Sequence, residues 1–388
     1  MPWNRTDPVN ERLKFVAASQ QGRWTMTELC ARFGISRKTG YKILKRYDEE
    51  GPESLRGRSS APHTHPNRIA GRIEAAILRV RKANARWGSK KILSVLEREG
   101  LLDGLPARST VDAVLKRAGL VSPRRRSRRR LPQAAPSVEA REPNDLWSMD
   151  YKGWFRVGDG TRCDPLTVND ACTRKSLECR ALVSPKLDDV MRRLELVFWE
   201  FGLPGHILSD NGPPFGSRGL GGLSRLSVWL LRLGIQPVFI QPGHPEQNGR
   251  HERFHETLKA ETAPPPRASI RAQQAAFDRF QQHYNWERPH EALGMQTPDE
   301  VYRPARRAMP AQLPEYEYGD QLEVRRVRHD GSMKWCSRFI FVGETLAGEL
   351  VGVERERDGP RSLFLGPMRI GIVHERVRTV LPVPVDLD

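Results

Sequence analysis

Gln241-Pro-Gly-His-Pro-Glu-Gln-Asn-Gly-Arg-His-Glu252-Arg-Phe-His-Glu-Thr-Leu-Lys259 is the stretch whose reading decides the rest of the chain. It opens with Pro and Gly, which break helices, and passes directly into good helix formers. On a 3.6-residue period Phe254 and Leu258 share one face, while Glu252, Glu256 and Lys259 lie opposite. The pattern predicts a loop that delivers Glu252 at the start of a helix anchored by its apolar side. A single Glu at such a place is also what the helix dipole favours, so alone it signals little.

Two acidic stretches upstream change that. Asn144-Asp-Leu-Trp-Ser-Met-Asp150-Tyr-Lys-Gly-Trp-Phe has strand-like, aromatic-rich character. An Asp inside such a strand is unfavourable unless it is partnered or functional. His206-Ile-Leu-Ser-Asp210-Asn-Gly-Pro-Pro-Phe is a short apolar run ending in Asp at a turn. Asp-Asn-Gly by itself is ordinary hairpin chemistry. The combination of one Asp on a strand, a second at a strand end and a Glu at a helix start is the layout of a two-metal phosphoryl-transfer site. Such a site holds its ions about 3.5–4 Å apart with hard oxygen ligands drawn from several elements.

Trp147-Ser-Met-Asp150, Ser209-Asp210-Asn-Gly-Pro-Pro-Phe215 and the Pro242–His255 segment together resemble the three signatures of the DDE transposases with a retroviral-integrase-type core. Tyr284-Asn-Trp-Glu-Arg-Pro-His290-Glu-Ala-Leu-Gly, followed by Thr297-Pro298, is similar to the bacterial insertion-sequence members. The resemblance covers roughly residues 144–302. It implies a catalytic and metal-binding triad of Asp150, Asp210 and Glu252, and two Mg²⁺ ions with Mn²⁺ able to substitute. Asp210 and Glu252 stand 42 positions apart, a longer spacing than the retroviral one. The excess falls in Ser217–Ser224, which reads as a surface loop. The implied reaction is metal-dependent 3′-end cleavage of the element by water, then in-line attack of the freed 3′-OH on target DNA. Two ends must be handled together, which implies a homo-oligomer.

The composition agrees. A formal charge of +17 over 388 residues points to a polyanionic partner. The five cysteines include no Cys-x-x-Cys pair, so neither a zinc site nor a disulfide framework is indicated and a reducing compartment fits. No apolar run approaches about 18 residues and no signal-peptide core opens the chain. A soluble cytoplasmic protein working at the nucleoid is expected.

Residues 1–60 read as a helix-turn-helix domain. Thr27–Phe33 is a short helix, Gly34-Ile-Ser36 a turn, and Ser36 the N-cap of a helix over 37–50. Leu29, Phe33, Ile35, Ile43 and Leu44 supply its buried side. Ser36, Arg37, Lys38, Tyr41 and Lys42 would face a major groove. Arg56 and Arg58 lie on a small, basic, extended tail suited to a minor groove. A generic three-helix bundle with a solvated basic face is the alternative. Residues 61–122 form a second helical unit, with Ile69, Ile73, Ile77 and Val80 as one apolar stripe; it is either a second helix-turn-helix domain or a spacer. In the basic linker 123–143, Arg124, Arg125, Arg126, Arg128, Arg129 and Arg130 repel one another and cannot form a core. They serve as a tether, as a phosphate-neutralising strip, or as both.

Residues 144–305 are expected to form an α/β ribonuclease-H-like core in the order β-β-β-α-β-α-β-α. Asp164, Asp170, Asp188 and Asp189 are competing acids explained by turns and helix starts. His244, Gln247, Asn248, Arg250, His255 and Lys259 are candidate DNA contacts around Glu252, and the three histidines His244, His251 and His255 are read as DNA contacts or as groups that orient it. The resemblance places Lys259 at a position that grips the element end. Residues 306–388 change to about five short strands, read as a small SH3-like β-barrel that binds DNA or mediates oligomerisation. Two other functional classes stay open: a catalytically silent DNA-binding regulator, and a nuclease for RNA–DNA hybrids.

Overall fold

A computed structural model describes residues 7–57, 69–100, 104–121, 138–210, 212, 214–217, 219–241, 245–354 and 360–382. Arg58, the six linker arginines and His244 lie outside the described residues. The chain divides into two compact units, residues 1–70 and 71–388.

The first unit holds α1 (Pro8–Gln20), α2 (Met26–Arg32) and α3 (Arg37–Glu50). Its second helix starts earlier than its apolar pattern suggests, because Thr25 and Glu28 form a reciprocal capping box. Ser36 caps α3 as expected, its hydroxyl accepting from the Thr39 N–H at 3.2 Å. Phe15, Leu29 and Cys30 make the buried centre, with Phe33, Ile35, Ile43 and Leu44 packed around it. Gly40 lets α3 approach closely: a Cβ there would stand 2.7 Å from Cys30 Sγ and 3.0 Å from Phe15 Cζ. Arg37, Lys38, Tyr41 and Lys42 all face solvent on α3, as does Arg56 beyond it.

The second unit begins with α4 (Gly71–Ala83), α5 (Ser89–Arg98) and α6 (Arg108–Arg117) around Ile77, Val80, Ile92, Leu96, Val111, Val114 and Leu115. The strands and helices that follow are β1 (Leu146–Tyr151), β2 (Phe155–Arg156), β3 (Arg162–Asp170), β4 (Ser176–Leu182), α7 (Leu187–Phe201), β5 (His206–Ser209), α8 (Arg225–Arg232), β6 (Gln236–Phe239), α9 (Gly249–Thr262), α10 (Ile270–Trp286) and α11 (Pro298–Val301). Apart from the two-residue β2, the elements from β1 to α9 follow the predicted order. Strand β3 pairs antiparallel with β1 and β4, and β1 and β6 flank β5 in parallel. Short loops permit the antiparallel pairs; the parallel ones require the α7 and α8 crossovers. The helical triplet joins this unit through a Trp87–His283 ring stack at 5.4 Å and ion pairs of Lys90 with Glu291 and Arg98 with Glu300.

Alternation along the strands divides the sheet's two faces. Trp147, Met149, Leu166, Val168 and Ile207 pack with α7 and α8 through Val190, Leu194, Phe198, Leu226 and Leu230. Cys163, Cys179 and Ala181 pack on the other face with Phe254 and Leu258 of α9 and Phe277, Phe280 and Tyr284 of α10. Asp170, Asp188 and Asp189 do sit at a turn or in a helix first turn. Asp164 does not: it is buried within β3 and held by Arg162, whose Nε and Nη2 lie 2.6 and 2.8 Å from its carboxylate.

The C-terminal residues form β7 (Leu322–Arg326), β8 (Ser332–Trp335), β9 (Arg338–Phe341), β10 (Leu350–Glu354), β11 (Arg361–Leu365), β12 (Met368–His374) and β13 (Thr379–Pro382), in the order β7-β10-β11-β12-β13-β9-β8. The two end strands lie beside each other, so the sheet is a near-closed barrel. Seven strands are described where five were expected. The extra two, β8 and β13, are four residues long and carry Lys334 and Pro382, which mask their strand character.

The segment expected to be a surface loop departs from that expectation. Leu220 and Leu223 are buried, and with Val228 and Leu231 of α8 they join the barrel's core beside Met333, Trp335, Ile370 and Val380. Apolar side chains at a loop tip find burial against a neighbouring sheet, which the local sequence does not reveal. No described helix is long and apolar enough to cross a membrane.

Candidate active site

Strands β1 and β5 run parallel in the register Leu146 with His206, Trp147 with Ile207 and Ser148 with Leu208. Asp150 and Asp210 each lie two residues beyond the last of these pairs. The period of two puts Ser148, Asp150 and Asp210 on one face of the sheet, opposite to Trp147 and Met149. That face is the one α9 covers. Glu252 stands in the first turn of α9 and is exposed, while His251, Phe254, His255 and Leu258 are its buried side. The predicted helix faces are therefore the observed ones.

Polar side chains seat α9 on the sheet. Ser148 Oγ is 2.7 Å from His251 Nδ1. Thr167 Oγ1 is 2.6 Å from His251 Nε2 and 2.7 Å from His255 Nε2, and it donates to the Asp150 carbonyl at 3.0 Å. A hydroxyl has a single proton, here given to that carbonyl. Both imidazoles must then donate through Nε2, which leaves His251 Nδ1 to accept from Ser148. His255 Nδ1 faces Asp150 Oδ2 at 3.8 Å. Burial pushes His251 down to about 3 and His255 to about 2, so both rings are neutral. Sequence reading did not single out Thr167. Its signal was register: it pairs with Asp150 across β1 and β3.

Asp150 is pushed up to about 7, first by its own burial, then by the negative charge of Asp210 and, more weakly, of Glu252. The backbone N–H of Tyr151 and the Lys152 ammonium pull the other way. Carboxylates that disturb one another's ionisation occupy one neighbourhood. Among the described residues, however, no three His, Cys, Asp or Glu side chains converge tightly enough to hold a metal ion. The expected cage is open. Glu252 is exposed, and Asp210 lies in a turn where its Oδ1 accepts from the Gly212 N–H at 3.1 Å.

Three of the candidate DNA contacts do not present their side chains. His255 is buried against Thr167, and Asn248 and Gln247 are buried at the start of α9. Gln247 is held by the loop, accepting from the Gln241 N–H at 2.9 Å. Closing a loop onto a helix start consumes the polar groups that the sequence leaves looking free. Arg250 and Lys259 are exposed.

Comparison with known proteins agrees with this architecture. The integrase core domain family matches residues 140–245 and again 233–298, a helix-turn-helix domain family matches 11–63, and a homeodomain-like family matches 39–115. An uncharacterized 39.2 kDa protein of insertion element IS476 from Xanthomonas euvesicatoria is 30% identical over 175 residues. That match spans 45% of this chain and about half, 49%, of the relative. Transposase InsD of insertion element IS2D from Escherichia coli is 28% identical over 301 residues, 72% of this chain and 91% of the relative. Among solved structures, the HTLV-2 integrase catalytic core domain in complex with magnesium is 14% identical, covers 42% of this chain and 100% of its own, and has a TM-score of 0.34. The chain is thus similar, over helix-turn-helix domains set ahead of an integrase core, to transposases of insertion elements.

Proposed function

We propose that this transposase cleaves the 3′ ends of an insertion sequence and joins them to target DNA at Asp150, Asp210 and Glu252. The observation that carries the proposal is the placement of Asp150 on β1 and of Asp210 just past the end of the parallel strand β5, beside a helix whose first turn carries Glu252. All three offer only hard oxygen donors, and burial, with the charges of Asp210 and Glu252 added, raises Asp150 to about 7, a cost that a divalent cation would relieve. Two Mg²⁺ ions, with Mn²⁺ as substitute, would supply charge neutralisation at the reacting phosphodiester. Asp150, Asp210 and Glu252 are the residues that would hold them.

The chain's own contribution is positioning. Thr167 and the two neutral histidines fix α9 against β1 and so fix Glu252 relative to Asp150. Helix α3, through Ser36, Arg37, Lys38, Tyr41 and Lys42, is the reader of the element's terminal repeats, with Arg56, Arg58 and the linker arginines neutralising phosphates. Arg250 and Lys259 are the exposed cations that would hold DNA beside Glu252. The domain division is 1–60, 61–122, linker 123–143, core 144–305 and an SH3-like module 306–388, and the working form is a homo-oligomer acting on two ends.

Incubation with labelled element ends and Mg²⁺ or Mn²⁺ tests this. Asp150→Asn, Asp210→Asn and Glu252→Gln should each lower strand transfer by about a thousandfold or more, as loss of a group that stabilises transition-state charge does, while DNA binding persists. The open carboxylates are the one observation favouring a silent DNA-binding regulator. Strand transfer that is absent from the wild type, or undiminished in all three variants, would decide for it.

A further inference from the structure

A second site lies on the far side of Asp150. The chain leaves β1 through Lys152, Gly153 and Trp154, and these residues wall a cavity of about 260 Å³ closed by the C-terminal half of α9. Its lining is mainly apolar, from Phe155, Pro165, Leu258, Ala263 and Phe277, with Lys152 and Lys259 as its two cations. Trp154 remains 56% exposed. It is wasted as a core residue, yet it is built in: the Arg162 guanidinium covers it at 5.1 Å and the Arg156 guanidinium approaches at 5.9 Å. Gly153 turns the chain at a φ of 85°, a left-handed conformation that suits glycine and brings the indole to the cavity mouth.

An aromatic ring set among cations over an apolar recess is how proteins hold unpaired bases. The base stacks on the ring while the basic side chains take its phosphates. The volume is near the small end of the ~300–1,000 Å³ typical of ligand pockets, enough for a planar heterocycle and too little for a helix. Charge selects the occupant: Lys152 and Lys259 flank the recess and no acid among the described residues lines it, so an anionic strand is favoured over an apolar peptide. Location selects it further, since Lys152 is two residues from Asp150 and Lys259 is on the helix that carries Glu252.

We infer that this cavity captures one unpaired base of the DNA strand next to the scissile phosphodiester, stacked on Trp154 with its phosphates on Lys152 and Lys259. The inference rests on the strand-transferring function proposed above, but it concerns binding and is testable without catalysis. The probes are two DNA duplexes of one sequence, one blunt and one with a two-nucleotide single-stranded overhang carrying 2-aminopurine, bound to the full chain in EDTA. The overhang should raise affinity about fivefold or more, in keeping with base–aromatic stacking measured by alanine substitution, and 2-aminopurine emission should be quenched.

In Trp154→Ala the ratio of overhang to blunt affinity should fall to about one and the quenching should vanish. Trp154→Phe should keep part of both. Ala263→Phe, which fills the recess and leaves the indole in place, should also abolish the preference. An Asp150→Asn chain should retain it, so that loss of catalysis and loss of the base site are told apart. Equal affinity for the two duplexes in the wild type, or a preference that survives Trp154→Ala and Ala263→Phe, would overturn the inference. Failure to bind either duplex would overturn the DNA-acting function along with it.

Discussion

Thr167 is a small side chain on which much rests. Its hydroxyl meets two imidazoles and a backbone carbonyl, and those contacts seat the helix that carries Glu252. A similar dependence on neutral imidazole occurs at His290. Burial holds it down to about 3, helped by the positive charges of Lys91, Arg288 and Arg174, and its ring lies 4.9 Å from that of Tyr284. Its folded value is below the unfolded one near 6.5, so the unfolded chain binds the extra proton. The stability tied to His290 is therefore complete above about pH 6.5 and is lost as pH falls toward 3. Replacing it with the non-titrating His290→Asn should flatten the dependence of apparent unfolding free energy on pH by about 1.4 kcal/mol per unit between roughly pH 6 and 4. Denaturant melts of both chains across that range measure it, and parallel slopes would show the ring to be accessible to protons.

At the scale of elements, the insertion between Asp210 and Glu252 acts as a bracket. Leu220 and Leu223 leave the ribonuclease-H-like sheet and enter the barrel's core next to β12 and β13. Substituting Leu220→Asp buries an unpaired charge in that core and should destabilise the barrel by about 2–4 kcal/mol. Limited proteolysis should then cut between residues 305 and 322 well before the wild type is cleaved. Unchanged resistance would mean that the barrel holds its place without the bracket. The element order itself was legible, because helical and strand periods alternate cleanly from Leu146 to Trp286. Strands β8 and β13 were not, since four residues hold only two inward positions.

For the molecule as a whole, a charge of +17 sets how it meets DNA. Binding should weaken steeply with salt, and each phosphate-contacting cation removed from α3, as in Arg37→Ala, Lys38→Ala or Lys42→Ala, should lower the log–log slope by roughly 0.9. A titration of duplex binding between low and moderate salt tests this, and an unaltered slope in the triple variant would remove α3 from the interface.

By itself the sequence determined which three acids to watch, the order of elements around them, and an exposed basic helix over residues 37–50. Those properties are written in local periodicity, in turn chemistry and in charge, all of which act over a few residues. Only the tertiary structure decided that Gln247, Asn248 and His255 face inward, that Thr167 answers His255 across the sheet, that an apparent surface loop is core, and that Trp154 overhangs a recess. Each depends on which distant strand or helix arrives opposite a side chain, and burial and pairing are settled by that arrival rather than by the residue's own neighbours in the chain.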